Sequence, residues 1–337
     1  MKLIKVLLLF VLAIIVTFSS CKKEEDQVQV QVQVLEGSIT LTTSNEYPLG
    51  VVNKWSVLSS ATSYNIYRSD ANVNYEIISS LESNVTTYFD TSAVEGVQYQ
   101  YYVVGTSSNL DGSVKSNTTT GLAVSLTTEN SFGLLASLTG GYYSTTPSAD
   151  SLTDIIISLI DSFATEDSDV MFLIDKTASM WDDIIAVQSG LTSIIAALPS
   201  NCRLGLASYG DIVNDSVWGT WGNDWYDFED LTLNHSNIQS LVNNLSTTGG
   251  GDTPESVFDG LYRTIVKADW QSTNKILIVI GDAPPLITPC NLPLTPAQPV
   301  ECTMHTIMDV VNACLANSVI TNLYPVVIGP IKDGNTN

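Results

Sequence analysis

Between residues 48 and 127 apolar and polar positions alternate in short runs: VVNKWSVL, SYNIYRS, YEIISSL, TTYFD and VQYQYYVVGTS. A period of two is that of a half-buried strand, and no helical period interrupts it. This stretch therefore predicts a β-sandwich. The pattern changes at Asp169. Val170–Ile174 is a continuous apolar run, and Ile184 to Leu198 carries helical spacing. Arg203–Tyr209 is apolar again, and helices are predicted at about 235–246 and 255–269. Lys275–Ile280 reads as a strand buried on both faces. A helix at about 303–317 precedes a last strand over Ile320–Ile328. Strands alternating with helices predict an α/β doubly wound parallel sheet with ligands at the carboxyl ends of its strands. Residues 128–165 read as a connector. They contain the breakers Gly140, Gly141 and Pro147 and one short helix within Ser148–Ser162.

The first 47 residues carry no such pattern. Lys2 and Lys5 precede an apolar run over residues 6–18, too short to span a bilayer but suited to a secretory signal. Phe18-Ser-Ser-Cys21 follows. This resembles a bacterial lipoprotein signal, which implies cleavage after residue 20 and acylation of Cys21. The next residues, Lys-Lys-Glu-Glu-Asp, resemble the acidic export tag of some bacterial surface lipoproteins. Residues 21–47 then form a lipidated tether, although Gln27–Val34 alternates with period two and could pair as a strand. The expected location is the outer membrane or cell surface, lipid-anchored and extracytoplasmic.

Charge narrows the function. The chain has 337 residues, 44% hydrophobic, with 13 Lys and Arg against 35 Asp and Glu, a net charge of −22. Such a chain repels phosphate backbones, so nucleic acid is excluded as a partner. Acidic excess suits hard cations, and two histidines, His235 and His305, argue against a multi-histidine zinc site. Both histidines read as surface residues. Cys290 and Cys302 bracket a Pro-rich segment and are candidates for a disulfide in an oxidising compartment. Cys202 and Cys314 are a second pair or two buried thiols.

Within the strand-rich stretch, Trp55, Ala61-Thr-Ser-Tyr-Asn-Ile-Tyr-Arg68 and Gly96-Val-Gln-Tyr-Gln-Tyr-Tyr-Val-Val104 resemble a fibronectin type III domain. The resemblance spans residues 48–127. It implies that Trp55 is buried on the second strand and that Tyr99 forms the corner hydrogen bond. Such domains serve as spacers or as protein- and glycan-binding modules, and the Tyr-rich strand reads as core and corner.

In the α/β stretch, polar residues gather at the predicted strand ends. The first strand ends in Asp175-Lys-Thr177-Ala-Ser179-Met-Trp-Asp182-Asp183 and the second in Tyr209-Gly-Asp211. A glycine-rich loop carries Gly249-Gly-Gly-Asp252-Thr-Pro-Glu255, and the next buried strand ends in Gly281-Asp282. One Asp after a strand usually caps a helix. Four strand-end loops delivering oxygens would repel one another unless a cation neutralised them. An all-oxygen set selects Mg²⁺, Ca²⁺ or Mn²⁺.

These residues resemble the von Willebrand factor A domain and its metal-ion-dependent adhesion site, nearest to the integrin β-subunit version. The resemblance spans residues 166–337 and implies a Rossmann-like fold. It implies a central metal at Asp175, Thr177, Ser179, Glu255 and Asp282, with Thr177 in place of a serine. It also implies a second metal at Asp182 and Asp183, and a third at Asp211 and Asp252. Gly250 stands where integrins carry Asn, which weakens the third site. The sequence stops at Asn337, where a full A domain adds at least one more helix, so either a shortened domain or a fragment is expected.

The expected function is a surface lipoprotein that binds a protein or glycan ligand by bridging the metal to the ligand's carboxylate. Two alternatives remain open: an envelope lipoprotein, structural or sensory, docking a membrane partner, and a metal-dependent hydrolase. The sequence holds no G-x-S-x-G, H-E-x-x-H or P-loop motif, so a binding protein is expected rather than an enzyme. The segment Trp218-Gly-Thr-Trp221-Gly-Asn-Asp-Trp225-Tyr226 is either a contact surface or a packed loop.

Overall fold

The computed structural model describes residues 33–70, 74–212, 225–248, 254–290, 302–318 and 323–328. The predicted signal, Cys21, residues 27–32 of the Gln-Val run, Trp218, Trp221 and Asp252 lie outside the described residues. No helix among the described residues is long and apolar enough to cross a membrane.

Residues 41–122 form two antiparallel sheets. One has the order β1 (Leu41–Thr43), β2 (Val51–Trp55), β5 (Thr87–Asp90). The other runs β4 (Glu76–Glu82), β3 (Ser63–Ser69), β6 (Gln98–Thr106), β7 (Ser113–Lys115), with β8 (Thr119–Leu122) also on β6. Alternation along β6 sends Tyr99, Tyr101 and Val103 into the core with Trp55, Tyr64 and Ile66. It leaves Tyr102 outside, stacked on its cross-strand partner Tyr67. The Tyr-rich strand is thus half core and half surface. Trp55 is buried on the second strand, and Tyr99 Oη accepts from Val94 N at 3.4 Å. Under them lies a polar knot that patterning did not flag: Asp90 accepts from Arg68 (2.8 Å), Tyr101 (2.9 Å) and Ser92 (2.6 Å). Val34, the last residue of the Gln-Val run, makes an isolated bridge to Asp111.

The second unit is a six-stranded sheet in the order β12 (Tyr226–Thr232), β11 (Arg203–Tyr209), β10 (Asp169–Asp175), β13 (Lys275–Gly281), β14 (Leu323–Ile328), β9 (Ser144–Thr146). Five strands are parallel, and β12 is antiparallel to β11. The sheet is therefore mixed rather than all parallel. Half-exposed, acid-rich β12 (YDFEDLT) is an edge strand, which helical or buried-strand patterning does not detect.

Both faces are covered. On one, α1 (Thr128–Thr139), α5 (Val257–Lys267) and α6 (Ile307–Ala316) pack on Met171, Leu173, Leu277 and Val279. On the other, α2 (Leu152–Phe163), α3 (Ile184–Ala197) and α4 (His235–Asn243) pack on Val170, Phe172, Ile276 and Ile278. Alternate residues of β10 and β13 feed opposite cores, which is why these strands read as unbroken apolar runs.

The expected connector needs correcting. Residues 128–165 supply α1, β9 and α2, all integral to the α/β unit. Phe132, Leu134 and Leu135 are fully buried in the same core as α5 and α6. β9 pairs in parallel with β14 as the edge strand of the sheet. Gly140 ends α1 in the left-handed region, and a Cβ on Gly141 would lie 1.6 Å from the Leu323 carbonyl oxygen. The breakers thus mark a close crossing over β14. The same α1 meets the sandwich: Val52 and Phe89 join its core, and Lys54 Nζ donates to the Ser137 carbonyl at 2.8 Å.

Candidate metal centre

The sheet order reverses between β10 and β13. Ligands of open α/β sheets gather beyond the carboxyl ends of the strands at such a switch point. Asp175 is the last residue of β10, and Asp282 follows β13 directly.

A chain of oxygens joins them. Thr177 donates to Asp175 Oδ1 through both its N–H (2.9 Å) and its hydroxyl (2.7 Å). Thr177 Oγ1 lies 2.9 Å from Ser179 Oγ, and Ser179 Oγ donates to Asp282 Oδ1 at 2.8 Å. The turn that makes this possible is the 3₁₀ segment Ala178–Met180, which folds Ser179 back over the strand end. The chain has three oxygen–oxygen contacts, and its two hydroxyls carry one proton each. With both acids ionised, Thr177 and Ser179 face each other without a proton between them.

Asp175 is fully buried, and burial, then the charge of Asp282, pushes its carboxyl up to about 7. Its other oxygen, Oδ2, accepts from Tyr209 Oη at 3.2 Å. Tyr209 is the register partner of Asp175 on β11. Burial holds the Tyr209 hydroxyl well above its ordinary range, and the charges of Asp175, Glu255 and Asp282 add to this. It therefore remains a donor, and three carboxylates converge on it. Glu255 is held beside the Asp282 loop by backbone bonds: its N–H donates to Pro284 O (2.9 Å), and Leu286 N donates to Glu255 O (2.8 Å).

The flanking residues are placed less uniformly. Asp182 is exposed, and Asp183 is half-buried at the N-cap position of α3. Asp211 is fully buried and accepts from Ser256 Oγ at 3.0 Å, next to Glu255. Among the described residues, no three His, Cys, Asp or Glu side chains form a metal-holding group by themselves. The oxygen chain mixes two acids with two hydroxyls, so an ion here would draw on Thr177 and Ser179 as well. The donors fit a hard cation: all are oxygens, and with both acids ionised one of their contacts lacks a proton.

Other expectations resolve locally. Cys290 and Cys302 are disulfide-bonded, and Cys202 and Cys314 are separate buried thiols. Trp225 and Tyr226 are buried in the core, so that end of the Trp-rich segment is packed. His235 Nε2 contacts the Cys202 carbonyl at 2.8 Å, and His305 Nδ1 contacts buried Asp259 at 2.7 Å, so neither is a plain surface residue. The role of Tyr209 went unforeseen because it depends on the pairing of β10 with β11. Lys176 was likewise missed: it is buried, and its Nζ pairs with Asp227 at 2.9 Å.

No family model matches the chain, and no curated protein matches it. Solved structures do. A Fn3-like protein from Clostridium thermocellum is 23% identical, covering 27% of this chain and 97% of that one, at a TM-score of 0.24. The fn3 domain of human contactin 1 is 13% identical, covering 32% and 93%, at 0.25. A pectate lyase from Erwinia chrysanthemi, solved with tetragalacturonic acid, is 19% identical at 0.23; 41% of this chain spans about a third (34%) of its length. None reaches a TM-score of 0.5, so the account of the fold rests on the strand pairing itself. The neighbours include Fn3-like domains.

Proposed function

We propose that the α/β unit is a von Willebrand factor A-type module that holds a divalent cation at Asp175, Thr177, Ser179, Glu255 and Asp282. Mg²⁺ is the expected ion, with Ca²⁺ or Mn²⁺ as substitutes. Asp182 and Asp183 would serve a second ion, and Asp211 with Asp252 a weaker third. The bound ion would supply an electrophilic centre for an acidic group of a protein or glycan ligand. The sandwich then acts as a spacer, and Cys21 as the lipid attachment at the cell surface.

The observation that supports this reading is the oxygen chain from Asp175 to Asp282, which is one proton short when both acids are ionised. Lone pairs that face each other at hydrogen-bond distance are costly, and a cation taking them up removes the cost. Tyr209 and the Thr177 N–H hold Asp175 in one orientation. The Ser179 hydroxyl orients Asp282, and the backbone ladder at Pro284–Leu286 keeps Glu255 alongside.

The test is calorimetric titration of the full chain with Mn²⁺ and Mg²⁺. Saturable uptake is expected, weakened about tenfold or more, roughly 1.4 kcal/mol, by Ser179→Ala or Asp282→Asn in variants with unchanged circular dichroism. A parent chain that takes up neither ion at millimolar concentration removes the proposal. If metal binds, capture of an acidic ligand should be abolished by EDTA.

A further inference from the structure

Away from the oxygen cluster, α5 turns its Asp259–Tyr262–Arg263–Val266–Lys267 face into a cleft of about 470 Å³. Trp225 forms one wall, and Met304 and His305 form another. The volume is that of a small-molecule site, and the walls are largely apolar. Tyr262 lies flat against His305, with ring centroids 3.8 Å apart and planes 16° apart. Val266 is 54% exposed and Met304 44%, so the apolar wall is open to solvent.

The rim of the cleft is basic. Arg263 and Lys267 sit one helical turn apart, a spacing at which like charges repel. Neither makes an ion pair among the described residues. Arg263 lies 4.8 Å above the Tyr226 ring, and Lys267 lies 4.2 Å above Phe228. In a chain with 13 basic residues and a net charge of −22, an unmatched cationic pair runs against the general balance. The acid in the lining of the cleft, Asp259, is committed elsewhere. Its carboxylate contacts Thr303 Oγ1 (2.9 Å), Met304 N (3.1 Å) and His305 Nδ1 (2.7 Å). That network fixes the imidazole in the wall and engages the Asp259 carboxylate away from the two cations.

We infer that this cleft binds an apolar carboxylate, an aromatic body bearing a short acidic arm. The ring would pack against Tyr262, Val266 and Met304, and the carboxylate would pair with Arg263 and Lys267. A bare inorganic anion would leave the apolar walls uncovered, and a neutral aromatic would leave the cationic repulsion in place. The site is independent of the proposed cation, so its success or failure is read separately from that reading.

The probe is 1-naphthylacetate, titrated calorimetrically into the full chain, with 1-naphthylacetamide and inorganic phosphate as comparators. The acid is expected to bind one-to-one, with the amide and phosphate at least about tenfold weaker. Arg263→Gln/Lys267→Gln should weaken the acid by a similar factor while melting temperature and circular dichroism stay at parent values. EDTA should leave binding unchanged. Equal affinity for the amide, an undiminished variant, tighter binding of phosphate, loss of binding in EDTA, or no heat at millimolar probe would each overturn the inference.

Discussion

A Cβ on Gly281 would sit 2.8 Å from Tyr209 Oη and 3.3 Å from Asp175 Oδ2. Only a residue without a side chain lets β13 pass this close to the Tyr209–Asp175 bond. Gly281→Ala should therefore cost roughly 1–3 kcal/mol in urea unfolding. Tyr209→Phe frees the space the methyl needs, so the double variant should lose less than the sum of the two singles. Additive losses would show that the two residues do not meet. The Asp175 carboxyl gives a second prediction at this scale. It holds a proton more tightly folded than unfolded, so without a divalent ion its contribution to stability falls as pH rises from about 4 to about 7. In EDTA, the parent should lose melting temperature relative to Asp175→Asn between pH 5 and pH 8. Millimolar Mg²⁺ should remove that difference. Asp175, Thr177, Ser179 and Asp282 were legible because each lies within four residues of a visible strand end. Tyr209 was not, because its hydroxyl acquires a role only once β10 and β11 pair in register.

At the scale of elements, the helices α3, α4, α5 and α6 and the strands β10, β11, β13 and β14 fall inside or within a few residues of their predicted ranges. Their apolar spacing answers to one sheet face each, or to two for the central strands. α1 was passed over for the opposite reason. It ends at Gly140 and buries Phe132, Leu134, Leu135 and Ala136 against partners on more than one side, so no single stripe stands out. β9, with three residues, is too short for any periodicity to register. The disulfide clips the segment before α6 and places Thr303 on Asp259. Closing a loop of 12 residues, it should contribute about 2–3 kcal/mol, measured as the loss of denaturant stability in Cys290→Ala/Cys302→Ala. A loss near zero would mean that the ladder around Thr303 holds this segment without it.

The whole molecule is two units sharing one helix. Because α1 donates its apolar residues to the α/β core while receiving Lys54 from the sandwich, the fold boundary lies before residue 128 rather than near 166. A fragment starting at residue 166 should give poorly dispersed amide spectra, and one starting at residue 126 should be folded. The reverse result would restore the connector. Lys54→Ala should leave both units folded yet speed proteolysis between them, since it removes the bonds to Ser137 O and Oγ.

The origin of β9 also bears on how the chain is made. Its register places Ser144 opposite Val326, so a strand from early in the chain pairs with one near its end. Translation runs from the amino end, so α1 and β9 emerge long before β14 exists to receive them. Before β10 and β13 follow, the part of its core already made is Val52 and Phe89 of the sandwich. The sheet cannot close until the last strand is delivered, which makes its completion a late, long-range event of the slow kind. In the order of synthesis the sandwich, whose last described strand ends at residue 122, is thus the first neighbour that α1 can meet.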